Sequence, residues 1–285
     1  MLSAVGIAFD ATLITLVMAL AASGLAVVFG LIGVINMGHG AMLTLGAYLT
    51  WAATGAGIPF VAAVLLAALG VGLVGLLLEH FIIRHFYDRP FETLLLTWGF
   101  FLVSTEVIKI VFGPDFRNVA SPMPGTIEMF GLSIPAYRAT VALLSLLILL
   151  SIGLIHKRTT FGLRVRAMVQ NREVASLMGQ DVSLLYKQVF VAGALLAGLA
   201  GALISPMLSI DPYIGNVYLV RSFFVVILGG LGLLVEGTIV GSFVIGGSET
   251  IFSLVTGQIF AQTIVFVLAV VLLRFFPRGV LARRN

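Results

Sequence analysis

A succession of long apolar runs constrains the fold of this chain more than any other feature of its sequence. Several runs reach the length of about 20 residues that an α-helix needs to cross the hydrocarbon core of a bilayer. Hydrophobic residues make up 60% of the chain and charged residues only 10%, whereas soluble domains carry about 25% charged residues. We therefore predict an all-α polytopic membrane protein with about eight or nine transmembrane or half-membrane helices. The runs lie at residues 5–28, 29–53, 59–82, 93–112, 138–156, 188–208, 216–235, 237–256 and 259–276.

The basic residues are concentrated in a few short segments. Segment 157–187 holds six of the 16 Lys and Arg residues, namely Lys157, Arg158, Arg164, Arg166, Arg172 and Lys187. Two further groups are Arg84 with Arg89 and, at the C-terminus, Arg274, Arg278, Arg283 and Arg284. Alternate membrane crossings can place all three groups on one side, and the positive-inside rule assigns that side to the cytoplasm. We therefore predict one transmembrane domain over residues 1–285, with a cytoplasmic segment at 157–187.

A short helix is predicted inside this basic segment. Asn171 can cap its N-terminus, and Glu173 in the first turn suits the positive end of the helix dipole. Gly179 can end the helix in a left-handed conformation. The apolar residues that then share one face are Val174, Leu177 and Met178. A capped helix with an apolar face on the basic side of a membrane indicates a binding site for a soluble partner.

A glycine-rich segment, Ser23–Tyr48, carries polar side chains at the expected depth of the membrane. Five glycines lie between Gly24 and Gly40, and such a density loosens a helix and allows close backbone approach. Asn36 and His39 are three residues apart and would share a face if the helix persists. Polar groups in the membrane face protein or a water-filled path. Two interpretations stay open, in which these residues and Gly40 either cross-link helices or line a translocation path.

Two carboxylates, Glu236 and Glu249, lie within or beside predicted membrane segments. Each can order helix packing or contact a polar substrate, and both interpretations stay open. Arg221 is expected near the outer interface, and Glu106 and Lys109 have the three-residue spacing of a helical ion pair. If these groups carry ions or protons, the chain would be a secondary transporter driven by an ion gradient.

A weak internal repeat relates the two halves of the chain. Its glycine pairs, each 199 residues apart, are Gly30 with Gly229, Gly33 with Gly232, and Gly38 with Gly237. Random matches are frequent in a chain with 32 glycines, so duplication is one of two open readings. If the repeat is real, the paired glycine-interrupted segments mark the substrate path.

The sequence lacks motifs for catalysis and for nucleotide binding. It has no Gly-Lys dipeptide and therefore no phosphate-binding loop of the GxxxxGK[ST] type. It has no cysteine, and its four histidines lack the spacing of metal ligands. The net charge of +4 follows from the basic segments above and predicts no nucleic-acid binding. We predict a protein that is not an enzyme and has no cofactor of its own.

Several blocks, in constant order along the chain, carry a family resemblance. They are GLAVVFGLIGVINMGHGAMLTLGAY (24–48), FGLRVRAMVQNREVASLMGQD (161–181), LLAGLAGAL (195–203), FFVVILGGLGLLVEGTIVG (223–241) and LLRFFPRGVL (272–281). With these blocks the chain resembles the integral membrane permeases of ATP-binding-cassette importers for branched-chain amino acids, urea and short amides. The block RPFETLLLTWG (89–99) is most similar to the urea-type permeases.

The resemblance implies one subunit of a larger importer in the bacterial inner membrane. Its implied partners are two cytoplasmic ATPase chains that bind the ATP, a second permease of paralogous sequence, a periplasmic substrate-binding protein and the lipid bilayer. ATPase closure would then drive alternating access. The implied coupling residues are Asn171, Arg172, Glu173, Ala175, Leu177, Met178 and Gly179. The candidate path residues are Asn36, His39, Gly40, Glu236 and Glu249. A secondary transporter and a membrane scaffold without transport are the alternatives, and neither needs the capped helix.

Overall fold

A computed structural model describes residues 4–129, 132–277 and 279–281, and most of these residues are helical. The helices are α1 (Ala4–Ile32), α2 (His39–Gly55), α3 (Phe60–Phe81), α4 (Pro90–Phe112), α5 (Ala136–Arg158), α6 (Thr160–Gln170), α7 (Arg172–Leu177), α8 (Val182–Ile204), α9 (Ile214–Gly229), α10 (Glu236–Ser242), α11 (Ser248–Thr256) and α12 (Gln258–Phe275). A π-helical turn, Phe243–Gly247, joins α10 to α11. The strands β1 (Thr126–Met129) and β2 (Leu132–Pro135) pair antiparallel before α5.

The prediction of an all-α polytopic membrane protein is confirmed. Six helical segments of the described chain are long and apolar enough to cross a membrane, namely Gly6–Ile32, Phe60–His85, Pro90–Phe112, Ala136–Arg158, Val182–Met207 and Glu236–Thr256. Two shorter apolar helices, Ile214–Gly229 and Ile259–Phe275, and the largely buried α2 account for the remaining apolar runs. The β1–β2 hairpin is an addition that the apolar pattern did not predict.

The centre of the bundle is packed through small residues. A Cβ atom on Gly46 in α2 would overlap the backbone of Gly198 in α8, and one on Gly193 would overlap Val28 in α1. Such glycines let helix backbones approach closely, which is how membrane helices gain packing contacts. The outer helices instead expose apolar side chains, such as Ile110 of α4 at 82%. Exposed faces of this kind suit contact with lipid.

The first glycine-rich segment is broken between two helices. α1 ends at Ile32 and α2 begins at His39, and Gly33 between them has a φ of 69°, which glycine adopts without strain. The boundary predicted between residues 28 and 29 is therefore wrong by several residues. Asn36 lies in the break, so the condition under which it would share a helix face with His39, an unbroken helix, is not met.

A second break separates α9 from α10. Gly232, which the internal repeat pairs with Gly33, lies in this break and has a φ of 87°. The two breaks are also neighbours in space, because a Cβ atom on Gly30 would lie 3.6 Å from the backbone nitrogen of Gly232. The glycine pairs of the repeat thus correspond to similar backbone breaks in the two halves.

The described basic residues of the three groups lie at one end of the bundle, which we call the basic end. Arg172 forms an ion pair with Asp88 in the loop before α4, which joins segment 157–187 to the region of Arg84 and Arg89. The C-terminal tail returns to the same end, where the N–H of Val280 donates to the carbonyl of Leu228 over 2.7 Å. The predicted basic residues Arg278, Arg283 and Arg284 lie outside the described residues.

The other end of the bundle, which we call the cavity end, carries the longest loop and the hairpin. Two hydrogen bonds of 2.8 Å between the backbones of Arg117 and Ile210 tie the loop after α4 to the segment after α8. α5 begins beside the hairpin and ends at Lys157 and Arg158. Its 23 residues span roughly 34 Å at the helical rise of about 1.5 Å per residue, so the two ends are separated by the thickness of a membrane.

Candidate functional site

A cavity of about 860 Å³ lies at the cavity end of the bundle. This volume falls in the range of about 300–1,000 Å³ that is typical of small-molecule sites. Its walls come from α1, α9 and α11, with residues around β2 and after α8. The rim reaches the surface, because Leu208 and Leu254 are 42% and 49% exposed.

An ion pair lies in the cavity wall at membrane depth. Nη2 of Arg221 is 2.9 Å from Oε1 of Glu249, and the side chains are 17% and 13% exposed. Counting from Ile214 and from Thr256, each residue is seven positions from the outer end of its helix, or roughly 10 Å deep. Arg221, expected near the outer interface, is therefore deeper than predicted. Its Nε is buried and has no hydrogen-bond partner among the described residues.

A second ion pair lies in the same cavity. Nη1 of Arg138 is 3.2 Å from Oδ1 of Asp10, and the side chains are 27% and 44% exposed. The two pairs bring two cations and two anions to the cavity, so their formal charges cancel. The remaining wall is largely apolar, with the side chains of Ile14, Val17, Met18, Ile204, Met207 and Leu254.

Glu236, the other carboxylate predicted to line a path, lies at the basic end. Its Oε1 is 2.6 Å from Nζ of Lys157, and the two side chains are 53% and 62% exposed. Glu236 begins the membrane segment Glu236–Thr256, whereas Glu249 lies toward its other end. The structure therefore separates the two predicted carboxylates.

The remaining path candidates, Asn36, His39 and Gly40, are buried between helices. Nε2 of His39 donates to the carbonyl of Ala21 over 2.8 Å, which fastens α2 to α1. A Cβ atom on Gly40 would lie 2.5 Å from the carbonyl oxygen of Gly215, so only glycine fits. Oδ1 of Asn36 has no hydrogen-bond partner in the part of the chain that the structure describes. These contacts favour the packing interpretation for His39 and Gly40, while Asn36 keeps an unused acceptor.

The two helix breaks pack closely together at the basic end. The space between the two helix breaks is only about 10 Å³ and is lined by residues that include Gly30, Gly232, Leu234 and Thr238. This volume holds about one water molecule at most. The described residues therefore leave a large cavity at the cavity end and little space between the two breaks at the basic end.

The predicted short helix is present at the basic end as α7. Oδ1 of Asn171 accepts a hydrogen bond of 3.0 Å from the N–H of Val174, as expected of an N-cap. Glu173 lies in the first turn, and Gly179 has a φ of 80° just after the helix. The local sequence therefore predicted both ends of this helix.

The two faces of α7 differ strongly in burial. Ala175 is 3% exposed and packs in a cluster with Val165 of α6 and Leu185 of α8. Leu177 and Met178 are 86% and 79% exposed. Ala175 thus anchors the helix to the bundle, and the other face leaves two large apolar side chains exposed.

A cluster of polar and aromatic residues connects α7 to the bundle. Arg172, besides its ion pair with Asp88, lies 5.2 Å over the ring of Tyr186. The ring of Tyr186 contacts that of Tyr87, whose hydroxyl donates to Glu79 over 2.8 Å. Burial first, and then the hydrogen bond to Glu79, raise the pKa of Tyr87, so the phenol stays protonated at neutral pH. The sequence analysis did not relate Asp88 to α7, because Asp88 lies 84 positions before Arg172 along the chain.

Comparisons with known proteins agree with the geometry of a membrane permease. A family model described as "Branched-chain amino acid transport system / permease component" matches residues 7–275. The high-affinity branched-chain amino acid transport system permease protein LivH of Escherichia coli (strain K12) is 26% identical over 93% of this chain and 91% of its own length. The corresponding protein BraD of Pseudomonas aeruginosa is 25% identical over the same shares.

Two further comparisons give less information about the family of this chain. The ribose import permease protein RbsC of Bacillus subtilis is 30% identical over 52% of this chain and 46% of its own length. No solved structure matches the chain. The similarity to urea-type permeases is not confirmed. The descriptions of the family model and of the LivH and BraD relatives name branched-chain amino acid transport instead. The chain belongs to the family of permease components of ATP-binding-cassette importers of the branched-chain amino acid type.

Proposed function

We propose that this chain is the membrane-spanning subunit of an ATP-driven importer of a branched-chain amino acid in the bacterial inner membrane. The observation that carries the proposal is α7, with Leu177 and Met178 exposed on a basic surface. Large exposed apolar side chains beside polar residues mark a site for a protein partner. Because the sequence has no phosphate-binding loop, ATP hydrolysis belongs to that partner.

The complete importer contains two cytoplasmic ATPase subunits, a second permease of paralogous sequence and a periplasmic binding protein. The periplasmic protein delivers the amino acid to the cavity end, and the ATPases dock on α7 at the basic end. The names of the LivH and BraD relatives and the apolar cavity wall support an aliphatic amino acid as the substrate. This chain itself catalyses no reaction and binds no ATP.

The contacts at the basic end supply a route for alternating access. Movement of a docked ATPase displaces α7, which Arg172 connects to Asp88 and Ala175 connects to α6 and α8. A Cβ atom on Gly30 would lie 3.6 Å from both the backbone nitrogen of Gly232 and the side chain of Leu234, so opening the basic end separates Gly30 from these two residues. The cavity would then close at its outer rim while the basic end opens.

A double substitution on α7 tests the proposal. We expect Leu177→Glu with Met178→Glu to abolish co-purification of the ATPase subunits in mild detergent, because two carboxylates replace the apolar contact. ATP-driven uptake into proteoliposomes should be lost with it, while the amount of permease in the membrane stays unchanged. Mass spectrometry of the purified complex identifies the ATPases.

A matched control uses apolar residues that are exposed at the basic end outside α7. Leu163→Glu with Leu184→Glu changes side chains that are 60% and 48% exposed and should retain the ATPases. Normal co-purification and uptake by the α7 variant would contradict the docking role. Uptake that survives ATP depletion but stops with an uncoupler would instead establish a secondary transporter.

A further inference from the structure

We infer that Arg221 and Glu249 form the binding subsite for the two charged groups of a zwitterionic amino acid, an inference that rests on the proposed import function. The guanidinium of Arg221 takes the substrate α-carboxylate, and the carboxylate of Glu249 takes the α-ammonium. In this structure the two side chains pair with each other at 2.9 Å. Substrate binding exchanges this one ion pair for two.

Burial of the pair argues for a role beyond packing. Moving two charges out of water costs several kcal/mol per ion, and apolar replacements of a buried pair are often neutral or stabilising. A pair used only to join α9 to α11 would therefore be a poor choice at membrane depth. Nε of Arg221 is buried without a hydrogen-bond partner among the described residues, so the guanidinium has hydrogen-bonding capacity beyond Glu249, and its planar geometry matches a carboxylate.

The charge balance of the cavity selects a substrate of zero net charge. Arg221 and Arg138 supply two cations, and Glu249 and Asp10 supply two anions. A cationic or anionic solute would leave an uncompensated charge in a medium of low polarity. A zwitterion adds one charge of each sign and satisfies both members of the pair.

The apolar wall defines the rest of the substrate. Ile14, Val17 and Met18 line the same cavity as the ion pair, and they suit an aliphatic side chain attached to the α-carbon. Urea and short amides have no charge with which to separate Arg221 from Glu249. The subsite therefore favours an aliphatic amino acid over the uncharged solutes that the sequence analysis had kept open.

Three small probes isolate the two charged contacts. L-leucine carries both groups, 3-methylbutylamine lacks the carboxylate, and 4-methylpentanoate lacks the ammonium. The Kd of each is measured by thermal protection of the purified permease–ATPase complex without a binding protein. The wild-type complex should prefer leucine to either analogue by about tenfold or more, because charge-assisted hydrogen bonds are the stronger class.

Each single substitution should remove the preference for leucine over one analogue and keep the preference for leucine over the other. Arg221→Gln should bring the ratio of the amine Kd to the leucine Kd close to one, while the ratio of the acid Kd to the leucine Kd stays high. Glu249→Gln should do the reverse. A purely structural pair would change both ratios together or neither. As a matched control, Glu106→Gln with Lys109→Gln removes a 2.6 Å ion pair of α4 and should leave both ratios unchanged.

The outcomes separate this inference from the proposed function. If both variants keep wild-type ratios while ATP-driven amino-acid uptake persists, the subsite is refuted and the importer stands. If the wild-type complex imports urea and no amino acid, the proposed substrate fails first. Should the single variants fail to assemble, the double variant Arg221→Glu with Glu249→Arg restores the pair. A structural role predicts recovery of leucine uptake in this double variant, whereas the subsite predicts recovered assembly without recovered uptake.

Discussion

The two ends of this membrane subunit depart from the usual distribution of side chains in opposite ways. At the cavity end, the charges of Arg221 and Glu249 are mostly buried, at 17% and 13% exposure. At the basic end, Leu177 and Met178 are exposed at 86% and 79%. Membrane proteins ordinarily keep charges out of the membrane and large apolar groups out of water, so each end has a feature that costs free energy in isolation.

The difference between the ends indicates what kind of molecule each one binds. Buried charges find their opposite charge within the chain and can exchange it for a small ligand that enters the cavity. Exposed apolar side chains find no cover within the described chain, and a surface as convex as a short helix needs a groove on another protein. The cavity end is therefore suited to a solute and the basic end to a protein.

The largest expected effect comes from removing one member of the buried pair. Glu249→Leu leaves Arg221 buried without its partner, which costs about 3–5 kcal/mol in a dry interior. Partial access of water from the cavity reduces this to about 2–3 kcal/mol of unfolding free energy. Thermal unfolding of the purified permease in detergent should show a clearly lowered Tm.

The exposed pair at the basic end provides the comparison. Glu236→Leu breaks the ion pair with Lys157, but both side chains are more than half exposed, and surface pairs contribute about 0–1 kcal/mol. Its Tm should therefore stay close to that of the wild type. Equal decreases in Tm for Glu249→Leu and Glu236→Leu would contradict the difference in burial between the two ion pairs.

A labelling experiment tests the difference in access between the ends. The chain has no cysteine, so single cysteines can be introduced without a background. Ser253→Cys lies in the cavity wall, and Thr238→Cys lies between the helix breaks at a residue that is 1% exposed. Without ATP, a membrane-impermeant maleimide should label the cavity cysteine about tenfold faster or more, since thiol reactivity follows exposure.

Nucleotide should reverse this pattern if the ends alternate. With ATP and an inhibitor that traps the closed ATPases, labelling of Ser253→Cys should slow, and labelling of Thr238→Cys from the basic end should accelerate. Mass spectrometry after timed quenching gives both rates. Unchanged rates for both cysteines would rule out exchange between the two ends as the transport cycle.

The sequence predicted those structural features that are determined by residues close together along the chain. Apolar length predicted the membrane helices, and Asn171 and Gly179 predicted both ends of α7 because caps act within one helical turn. The break between α1 and α2 was misplaced, since five glycines between Gly24 and Gly40 offer many positions for a left-handed residue. Packing against the rest of the bundle decides that Gly33 adopts the left-handed conformation.

Contacts between distant residues were beyond local patterns. Arg221 and Glu249 are 28 positions apart, and the break before α10 and a π-helical turn lie between them, so no helical periodicity relates them. The apolar sequence around Glu249 marked it as unusual, but no local pattern indicated that Arg221 is its partner. The same reason applies to Asp88 and Arg172, whose pairing arises only when α3 and α8 pack side by side.

The smallest expected effect concerns the caps at the basic end. Asn171→Ala removes the hydrogen bond to Val174, which should cost α7 about 1 kcal/mol. Because Arg172 and Ala175 still hold α7 to the bundle, the loss is local. The affinity for the ATPase should fall by at most about fivefold, and the amides of α7 should exchange with solvent faster, while the global Tm stays unchanged.

A neighbouring cap supplies the control for this prediction. Oδ1 of Asp181 accepts a hydrogen bond of 2.9 Å from the N–H of Leu184 at the start of α8, a core helix. Asp181→Ala should therefore lower the global Tm by a comparable free energy and leave ATPase affinity unchanged. Titration of the solubilised permease with its ATPase, beside hydrogen exchange, separates the two cases. If Asn171→Ala also lowers the global Tm, α7 unfolds with the bundle and acts as part of it rather than as a docking element.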